Sequence, residues 1–329
     1  MPTVSVVVPN YNHAPFLRQR IDTILGQTYQ DFELILLDDC STDDSRAILS
    51  EYADNARVRL EFNDANSGSP FKQWNKGVAL ARGRYVWIAE SDDYADARFL
   101  ERLVPALDAD PATVISYCRS WRVENNQIAG FADPLLDPSD LARWGADFSS
   151  DGSDECRRYW VMANLVRNAS SAVFRKSGYE EIGGADESLR LCGDWKLWAS
   201  IALCGRVRYT SDPLNYYRFH SGSAWGKSAD AAREIAEVLH VVRYVMDKAH
   251  PADAVREKAC RRLARGWALV LLSTRIPIEV KRRMVSDIRA IDPHVMRRLP
   301  PGAWSAARMK FRRHWRELRS VFGAPRTMP

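Results

Sequence analysis

The chain has 329 residues, of which 46% are hydrophobic and 27% are charged, as in an ordinary globular protein large enough for two domains. No apolar run approaches the roughly 20 residues of a membrane-spanning helix, and the N-terminus lacks the features of a signal peptide. The six cysteines are scattered without a CxxC pair. This argues against a disulfide framework or a zinc site, and we expect a cytoplasmic protein.

The net charge of +5 is unevenly distributed along the chain. Residues 281–329 carry 13 Lys or Arg and 3 Asp or Glu, a net charge of +10. The other 280 residues carry 34 basic and 39 acidic side chains, a net charge of −5. The positive charge therefore indicates an anionic neighbour for the tail and says little about the body.

Buried strands and helices alternate over the first hundred residues. We predict strands at 4–8, 32–37, 58–62 and 85–89, and helices at 15–28, after the cap cluster at 41–44 and after the turn at 66–70. This alternation predicts a mostly parallel sheet flanked by helices. Ligands of such sheets bind beyond the carboxyl ends of the strands.

The pattern is more mixed from residue 100 to about 225. We predict helices at 99–108 and from 193, and strands at 113–117, 171–174, 207–209 and 215–219. The segment 130–155 is rich in Asp, Ser, Gly and Pro, which predicts a long mobile loop. After about residue 229 the sequence is mostly helical.

Polar loops follow three of the predicted strands, at 9–12, 38–39 and 90–93, and should lie side by side. Adjacent carboxylates such as Asp92 and Asp93 are costly unless a cation or hydrogen-bond donors neutralise them. Mg²⁺ takes oxygen ligands and shares them with diphosphate oxygens. A solvated turn or a helix N-cap is the ordinary alternative, but the second acidic pair at 38–39 favours a cation site.

Two more side chains have both a structural and a functional interpretation. Asp194 stands at a predicted helix start between Gly193 and Trp195, where it is either an N-cap or a general base in a partly dry pocket. His220 follows a predicted strand and is either structural or a ligand. Residues 77–83 lack the GxGxxG and GK[ST] patterns, which argues against Rossmann dinucleotide and P-loop sites.

Five motifs, in a fixed order, resemble those of bacterial family 2 glycosyltransferases of the GT-A fold: VSVVVPNYNH, LLDDCSTDDS, NSGSPFKQWNKGVALARGRYVWIAESDD, CGDWKLW and YYRFHSGS. The resemblance covers about residues 2–225. It implies an α/β fold with a Rossmann-like, mostly parallel sheet in a catalytic domain at 1–225. The nucleotide-binding part would be 1–100 and the acceptor part 101–225, followed by a helical, basic C-terminal extension at 226–329.

The resemblance implies a nucleotide pocket. Pro9 and Tyr11 would line the base, with Tyr11 stacking on it. Asp39 would accept a hydrogen bond from the base, typically uracil or thymine. Gly68 would let the backbone approach the nucleotide, and Asp92 would bind the ribose or assist the metal.

The resemblance also implies a metal site and a catalytic base. Asp93 would hold Mg²⁺ or Mn²⁺, His220 would complete the metal site, and Asp194 matches the base. The chain departs from the family at two positions. Glu90 replaces the first Asp of the DxD motif, and Gly193 stands before the base where many relatives have Glu. The QxxRW motif of processive members is absent, which predicts one sugar added per encounter.

The resulting hypothesis is an inverting, metal-dependent glycosyltransferase that moves a sugar from a UDP or dTDP donor to a hydroxyl of a glycan or lipid-linked acceptor. It would act in cell-surface polysaccharide or glycolipid assembly. The alternatives are a nucleotidyltransferase, which usually has a Gly-rich basic loop where this chain has Asn10-Tyr11-Asn12, and a non-catalytic nucleotide-sugar-binding module. The acidic body and the lack of a known motif argue against a nucleic-acid partner.

Residues 303–322 predict a basic amphipathic helix, with aromatic and aliphatic residues recurring on one face at helical spacing. Such a helix is typical of a peripheral anchor at a membrane surface, here the inner face of the cell membrane. The alternative is packing on the catalytic domain or on a second copy in a homo-oligomer.

Overall fold

The computed structural model of the protein describes residues 1–134, 138–220, 231–271 and 277–293. The chain divides into two compact units, Met1–Lys227 and Ser228–Pro329. The predicted amphipathic helix at 303–322 lies outside the described residues.

The first unit contains one large sheet. Its strands are β1 Val4–Asn10, β2 Phe32–Asp38, β3 Val58–Phe62, β4 Tyr85–Ile88, β5 Tyr94–Ala95, β6 Thr113–Glu124, β7 Gln127–Phe131, β8 Phe148–Asp151, β9 Ala172–Arg175 and β10 Arg206–Phe219. The order is β3-β2-β1-β4-β9-β6-β10-β5, with β7 paired to β6 and β8 paired to β10. The α/β prediction is confirmed, and each of the first four predicted strands is present.

The sheet is parallel in its first half and mixed in its second. Strands β3, β2, β1 and β4 pair in parallel. Strand β9 is antiparallel to both β4 and β6, whereas β10 is parallel to β6 and antiparallel to β5 and β8. A mostly parallel sheet is therefore correct for the strands joined by crossover helices, and the second half departs from it.

Helices flank the sheet. In the first unit they are α1 Ala14–Leu25, α2 Ser45–Ser50, α3 Pro70–Leu80, α4 Phe99–Ala109, α5 Gly152–Glu155, α6 Lys176–Glu181 and α7 Gly193–Ala202. Short 3₁₀ segments occupy Pro138–Gly145 and Ala169–Ser171, and a π-helical turn occupies Cys156–Trp160.

The core lies between the sheet and its helices. Alternate residues of β1, such as Val6, belong to one buried cluster with Leu17 of α1 and Leu103 of α4. The opposite face of β1 meets α3, where a Cβ on Gly77 would come within 2.2 Å of Val7 Cγ1. This close approach lets α3 pack directly against β1.

Two sequence expectations change in the second half of the unit. The prediction of a long mobile loop at 130–155 is wrong for the described part of that segment. The segment contains β8 and a 3₁₀ turn, and its buried Trp144 has a ring centroid 5.2 Å from that of Tyr209. The strands predicted at 207–209 and 215–219 are one strand, β10. Its register shifts on either side of Pro213, which interrupts the regular pairing.

The described part of the second unit is helical, with helices at Ala231–Ala249, Asp253–Leu271 and Ile278–Ile291 that contact one another. A helical C-terminal part matches the sequence pattern. Within the described residues, no helix combines the length and the apolar character that crossing a membrane requires.

Candidate active site

The carboxyl ends of β1 and β2 are joined by polar side chains. Asn10 lies opposite Asp38 in the register of the two strands, and Asn10 Nδ2 donates to Asp38 Oδ1 at 3.0 Å. Ser41 N and Arg46 Nε donate to Asp38 Oδ2. Burial would raise the pKa of Asp38, but these hydrogen bonds outweigh it and hold the pKa below its usual value. Asp38 therefore fastens the loops together.

Asp39 is buried and organises the turn that follows β3. Its Oδ1 accepts hydrogen bonds from Asn63 Nδ2 at 2.7 Å, Ser67 N at 2.8 Å and Gln73 Nε2 at 2.9 Å. Its Oδ2 accepts from Ser67 Oγ at 2.8 Å. The neighbouring Gly68 has a φ of 73°, a conformation that favours glycine. The structure thus brings Asp39 and Gly68 together.

Pro9 and Tyr11 stand at the same edge of the sheet. Pro9 is buried within β1, whereas the Tyr11 side chain just beyond it is 46% exposed. The loop is held by Asn12, whose φ is 57° and whose Oδ1 accepts from Thr42 N at 2.8 Å. Tyr11 therefore presents an open aromatic surface on a fixed loop.

The two adjacent carboxylates Asp92 and Asp93 face different surroundings. Asp93 is 1% exposed and accepts hydrogen bonds from Asn168 Nδ2, from Ser170 Oγ at 2.7 Å and from Arg218 N at 3.0 Å. Burial, followed by the charge of Asp92, raises the pKa of Asp93 to about 7. Asp93 therefore joins the loop after β4 to the end of β10. We predicted Asp93 as the metal ligand, but its oxygens are engaged inside the protein.

Asp92 lies in a cluster with two histidines. Asp92 Oδ2 is 3.0 Å from His220 Nε2. His13, Asp92 and His220 each offer one ligand atom, and the three atoms lie within 4.8 Å of one another. Burial would raise the pKa of Asp92, but the hydrogen bond from His220 and the charge of His13 lower it. We name this group the His-Asp-His cluster.

His13 escaped the sequence analysis, although it ends the VPNYNH motif. Its Nδ1 lies 2.8 Å from Ser91 Oγ, and its ring centroid lies 5.8 Å from that of His220. Two imidazoles and a carboxylate form a donor set that fits a divalent cation. His220 belongs to this cluster, whereas the buried Asp93 does not.

Behind the cluster lie a second acid and a buried cation. Glu90 accepts from Trp74 Nε1 at 2.8 Å, and burial together with the charges of Asp92 and Asp93 raises its pKa to about 8. Arg20 is fully buried over the ring of Trp87. Burial lowers the Arg20 pKa to about 10 against the opposing charges of Asp93 and Glu90. A guanidinium charge therefore offsets part of the acidic run.

Asp194 is the second residue of α7, and Cys192 occupies the cap position, so the interpretation of Asp194 as an N-cap is wrong. Its Oδ2 accepts from Asn164 Nδ2 at 2.8 Å, and its Oδ1 accepts from Trp195 N at 2.7 Å. Burial raises the pKa of Asp194 to about 6, while the Trp195 amide and the Arg167 charge lower it. Such a carboxylate is ionised at neutral pH and still basic enough to accept a proton.

Tyr217 connects the two acidic regions. Burial raises the pKa of its phenol, and the charges of Asp93, Asp194 and Asp92 raise it further. The segment 164–168 makes the same connection, because Asn164 binds Asp194 and Asn168 binds Asp93. One short segment of chain thus contacts both Asp194 and Asp93.

Comparisons with known proteins agree with this architecture. Residues 5–183 match the family model described as Glycosyl transferase family 2. The chain belongs to glycosyltransferase family 2. The glycosyltransferase GlyG of Streptococcus pneumoniae is 39% identical over 254 residues, covering 72% of this chain and 78% of GlyG.

A second relative has a more specific name. It is the Escherichia coli UDP-Glc:alpha-D-GlcNAc-diphosphoundecaprenol beta-1,3-glucosyltransferase WfaP, which is 24% identical over 76% of this chain and 89% of its own. Among solved structures, Staphylococcus aureus TarS 1–349 in complex with UDP-GlcNAc superposes with a TM-score of 0.67 at 18% identity, over 90% of this chain and 84% of TarS. This glycosyltransferase therefore has the GT-A fold.

Proposed function

We propose that this family 2 glycosyltransferase transfers a sugar, with inversion, from a UDP or dTDP sugar to a hydroxyl of a glycan or lipid-linked acceptor. The observation that carries the proposal is the fixed carboxylate of Asp194. Both of its oxygens accept hydrogen bonds, and burial raises its pKa to about 6. A group of this kind serves as a general base at neutral pH.

The donor nucleotide would bind at the carboxyl ends of β1 and β2. Tyr11 would stack on the base beside Pro9. Asp39 would accept a hydrogen bond from the base at Oδ2, which accepts one from Ser67 Oγ, since Oδ1 already accepts three. Gly68, with no side chain, would let the nucleotide approach the backbone. The exposure of Tyr11 and the proximity of Gly68 to Asp39 support this arrangement. TarS, which has the same fold, was solved with UDP-GlcNAc.

The divalent cation, Mg²⁺ or Mn²⁺, would be held by Asp92 and His220, since Asp93 is engaged by Asn168, Ser170 and Arg218. The chemistry a bound cation supplies here is to offset negative charge on the departing nucleoside diphosphate. Asp93 would then act indirectly, by holding the loop that carries Asp92.

Asp194 would accept the proton of the acceptor hydroxyl while the oxygen of that hydroxyl attacks the anomeric carbon. The bond from that carbon to the diphosphate oxygen breaks on the opposite side, which inverts the configuration. Asn164 would hold the Asp194 carboxylate towards the acceptor, since it donates to Asp194 Oδ2.

The acceptor is proposed from the relatives and from the chain's charge pattern. WfaP is named for a diphosphoundecaprenol-linked GlcNAc acceptor, and a lipid-linked glycan would suit a cytoplasmic enzyme that contacts the inner membrane face through 303–322. The catalytic domain would span 1–225, with nucleotide contacts in 1–100 and acceptor contacts in 101–225. The extension at 226–329 would carry the membrane contact or a homo-oligomer interface.

A donor screen tests the function. Purified protein is incubated with UDP and dTDP sugars and a diphosphoundecaprenol-linked GlcNAc acceptor, in Mn²⁺ or in EDTA, and release of nucleoside diphosphate is measured. We expect release that needs both acceptor and Mn²⁺, and NMR of the product should show an inverted anomeric configuration. Donor binding without release by any pair would favour the non-catalytic binding module.

A further inference from the structure

We propose that His13 is a third protein ligand of the cation, together with Asp92 and His220. The inference rests on the proposed function and adds a specific residue to it. It concerns a side chain from the start of α1, far in sequence from the other two ligands.

The geometry places three ligand atoms around one point. His220 Nε2 and Asp92 Oδ2 are 3.0 Å apart, and the His13 ligand atom lies within 4.8 Å of both. Neighbouring ligands of an octahedral ion with bonds of about 2.1 Å lie roughly 3 Å apart, and opposite ones roughly 4 Å apart. A small movement of the side chains would therefore close the three atoms around one ion.

The fold holds the His13 ring in place from the side of the acidic loop. Ser91 Oγ lies 2.8 Å from His13 Nδ1. Metal-binding histidines commonly use one ring nitrogen for such a hydrogen bond and the other for the metal. When Nδ1 donates to Ser91, the tautomer carries its lone pair on Nε2. The residue next to Asp92 thus orients a second ligand.

The side chain of His13 does not cap α1. It occupies the N-cap position but makes no side-chain capping hydrogen bond. Asp43 Oδ2 instead accepts from Ala14 N at 3.0 Å. The carboxylate therefore satisfies a backbone N–H at the helix start, while the imidazole is directed towards Ser91 and the cluster.

The donor types suit a first-row transition ion. Imidazole nitrogen suits such ions, and carboxylate oxygen suits Mn²⁺ as well as Mg²⁺. Two imidazoles and one carboxylate would leave coordination positions for diphosphate oxygens. Replacing one of the two imidazoles should therefore weaken the binding of a first-row ion.

The test is Mn²⁺ binding to the full chain in the presence of UDP. Calorimetry measures the affinity, and pulsed electron paramagnetic resonance examines the coordination. Nitrogen hyperfine coupling to Mn²⁺ reports imidazole coordination directly. We expect coupling from two histidines in the unaltered protein. His13→Gln should reduce it and weaken Mn²⁺ binding by roughly tenfold or more. His240→Gln, an exposed position in the second unit, is the matched control and should change neither.

Each result bears on one of the two proposals. If His13→Gln keeps the nitrogen coupling and the Mn²⁺ affinity of the unaltered protein while Asp92→Asn loses Mn²⁺, the metal role of His13 is wrong and the proposed function stands. Sugar transfer that ignores EDTA would instead overturn the metal-dependent function. Thermal melts of both histidine variants check that they fold.

Discussion

Asn164 Nδ2 donates a hydrogen bond to Asp194 Oδ2 at 2.8 Å, and the backbone N–H of Trp195 donates one to Asp194 Oδ1. The two donors fix the plane of the carboxylate, so its remaining lone pairs point in set directions. Because Asn164 belongs to the segment whose Asn168 binds Asp93, the proposed base and the acidic loop are positioned by one stretch of chain.

Replacing Asp194 by Asn should abolish most of the activity. The amide keeps the size of the side chain but cannot accept the acceptor proton, and general base catalysis contributes about 10²–10⁴-fold. We expect turnover to fall by that order while UDP affinity stays within about twofold, as measured by initial rates and calorimetry. Near-normal turnover would remove Asp194 from the mechanism.

The rate should depend on pH through Asp194. Burial raises its pKa to about 6, and the base must be ionised, so turnover should be full above pH 7 and fall as pH drops through about 6. Asn164→Ala removes a hydrogen bond that lowers this pKa. The acidic limb of the pH–rate profile should therefore move to higher pH, as measured at saturating donor and acceptor.

The Asn164 result needs a control that separates positioning from folding. Asn164→Ala should bind UDP normally and recover part of its rate at higher pH, which a merely misfolded site would not do. An unshifted limb would contradict the assignment of the pH dependence to Asp194.

Asp92 and Asp93 should respond differently to the same substitution. Asp92→Asn should weaken Mn²⁺ binding with little change in stability, because the Asp92 carboxylate is the acidic member of the His-Asp-His cluster. Asp93→Asn presents an amide to three donors, and each buried unsatisfied group costs about 1–3 kcal/mol. We expect a lower urea midpoint for Asp93→Asn, measured beside Mn²⁺ titrations. The reverse pattern would restore Asp93 as the ligand.

Tyr11 should contribute to nucleotide affinity through its ring. Stacking of a base on an aromatic side chain is worth about 1–3 kcal/mol, so Tyr11→Ala should weaken UDP binding by roughly five-fold or more. Tyr11→Phe keeps the ring and should bind UDP nearly as the unaltered protein does. Equal affinity of all three proteins in calorimetry would place the base elsewhere.

Gly83 should be sensitive to a single added methyl group. A Cβ there would lie 2.6 Å from Ser5 N and 2.7 Å from Val4 C, which are backbone atoms of a buried strand. We expect Gly83→Ala to lower the free energy of unfolding by about 1–3 kcal/mol, as measured by urea denaturation. Gly145→Ala, where a Cβ meets nothing within 4 Å, should change it by less than about 0.5 kcal/mol.

The sequence predicted the elements whose signal is local. Strands β1 to β4 are short apolar runs separated by helices, and such a pattern has one common solution, the parallel sheet. The direction of β9 depends on its contacts with β4 and β6, which no local pattern encodes. The polar composition of 130–155 hid Trp144, whose burial holds that segment in place.

The site was predictable as a set of motifs and less so as a set of contacts. Asp92 and Asp93 are neighbours in sequence, and only the positions of Asn168 and Arg218 show which of them turns inward. His13 meets Ser91 across 78 residues. A short polar motif gives no sign of such a contact, so His13 could be found only once the chain was folded.

Strand β10 has a consequence for how this chain tolerates insertions and deletions. Side chains alternate between the two faces of a strand, and the irregular pairing around Pro213 determines which face each later residue takes. Removing one residue between Thr210 and Asn215 would exchange the faces of Tyr217 and Arg218 without altering either amino acid. A length change there would therefore turn each later side chain of β10 to the other face of the sheet. Natural or engineered variants should keep the length of this interval constant.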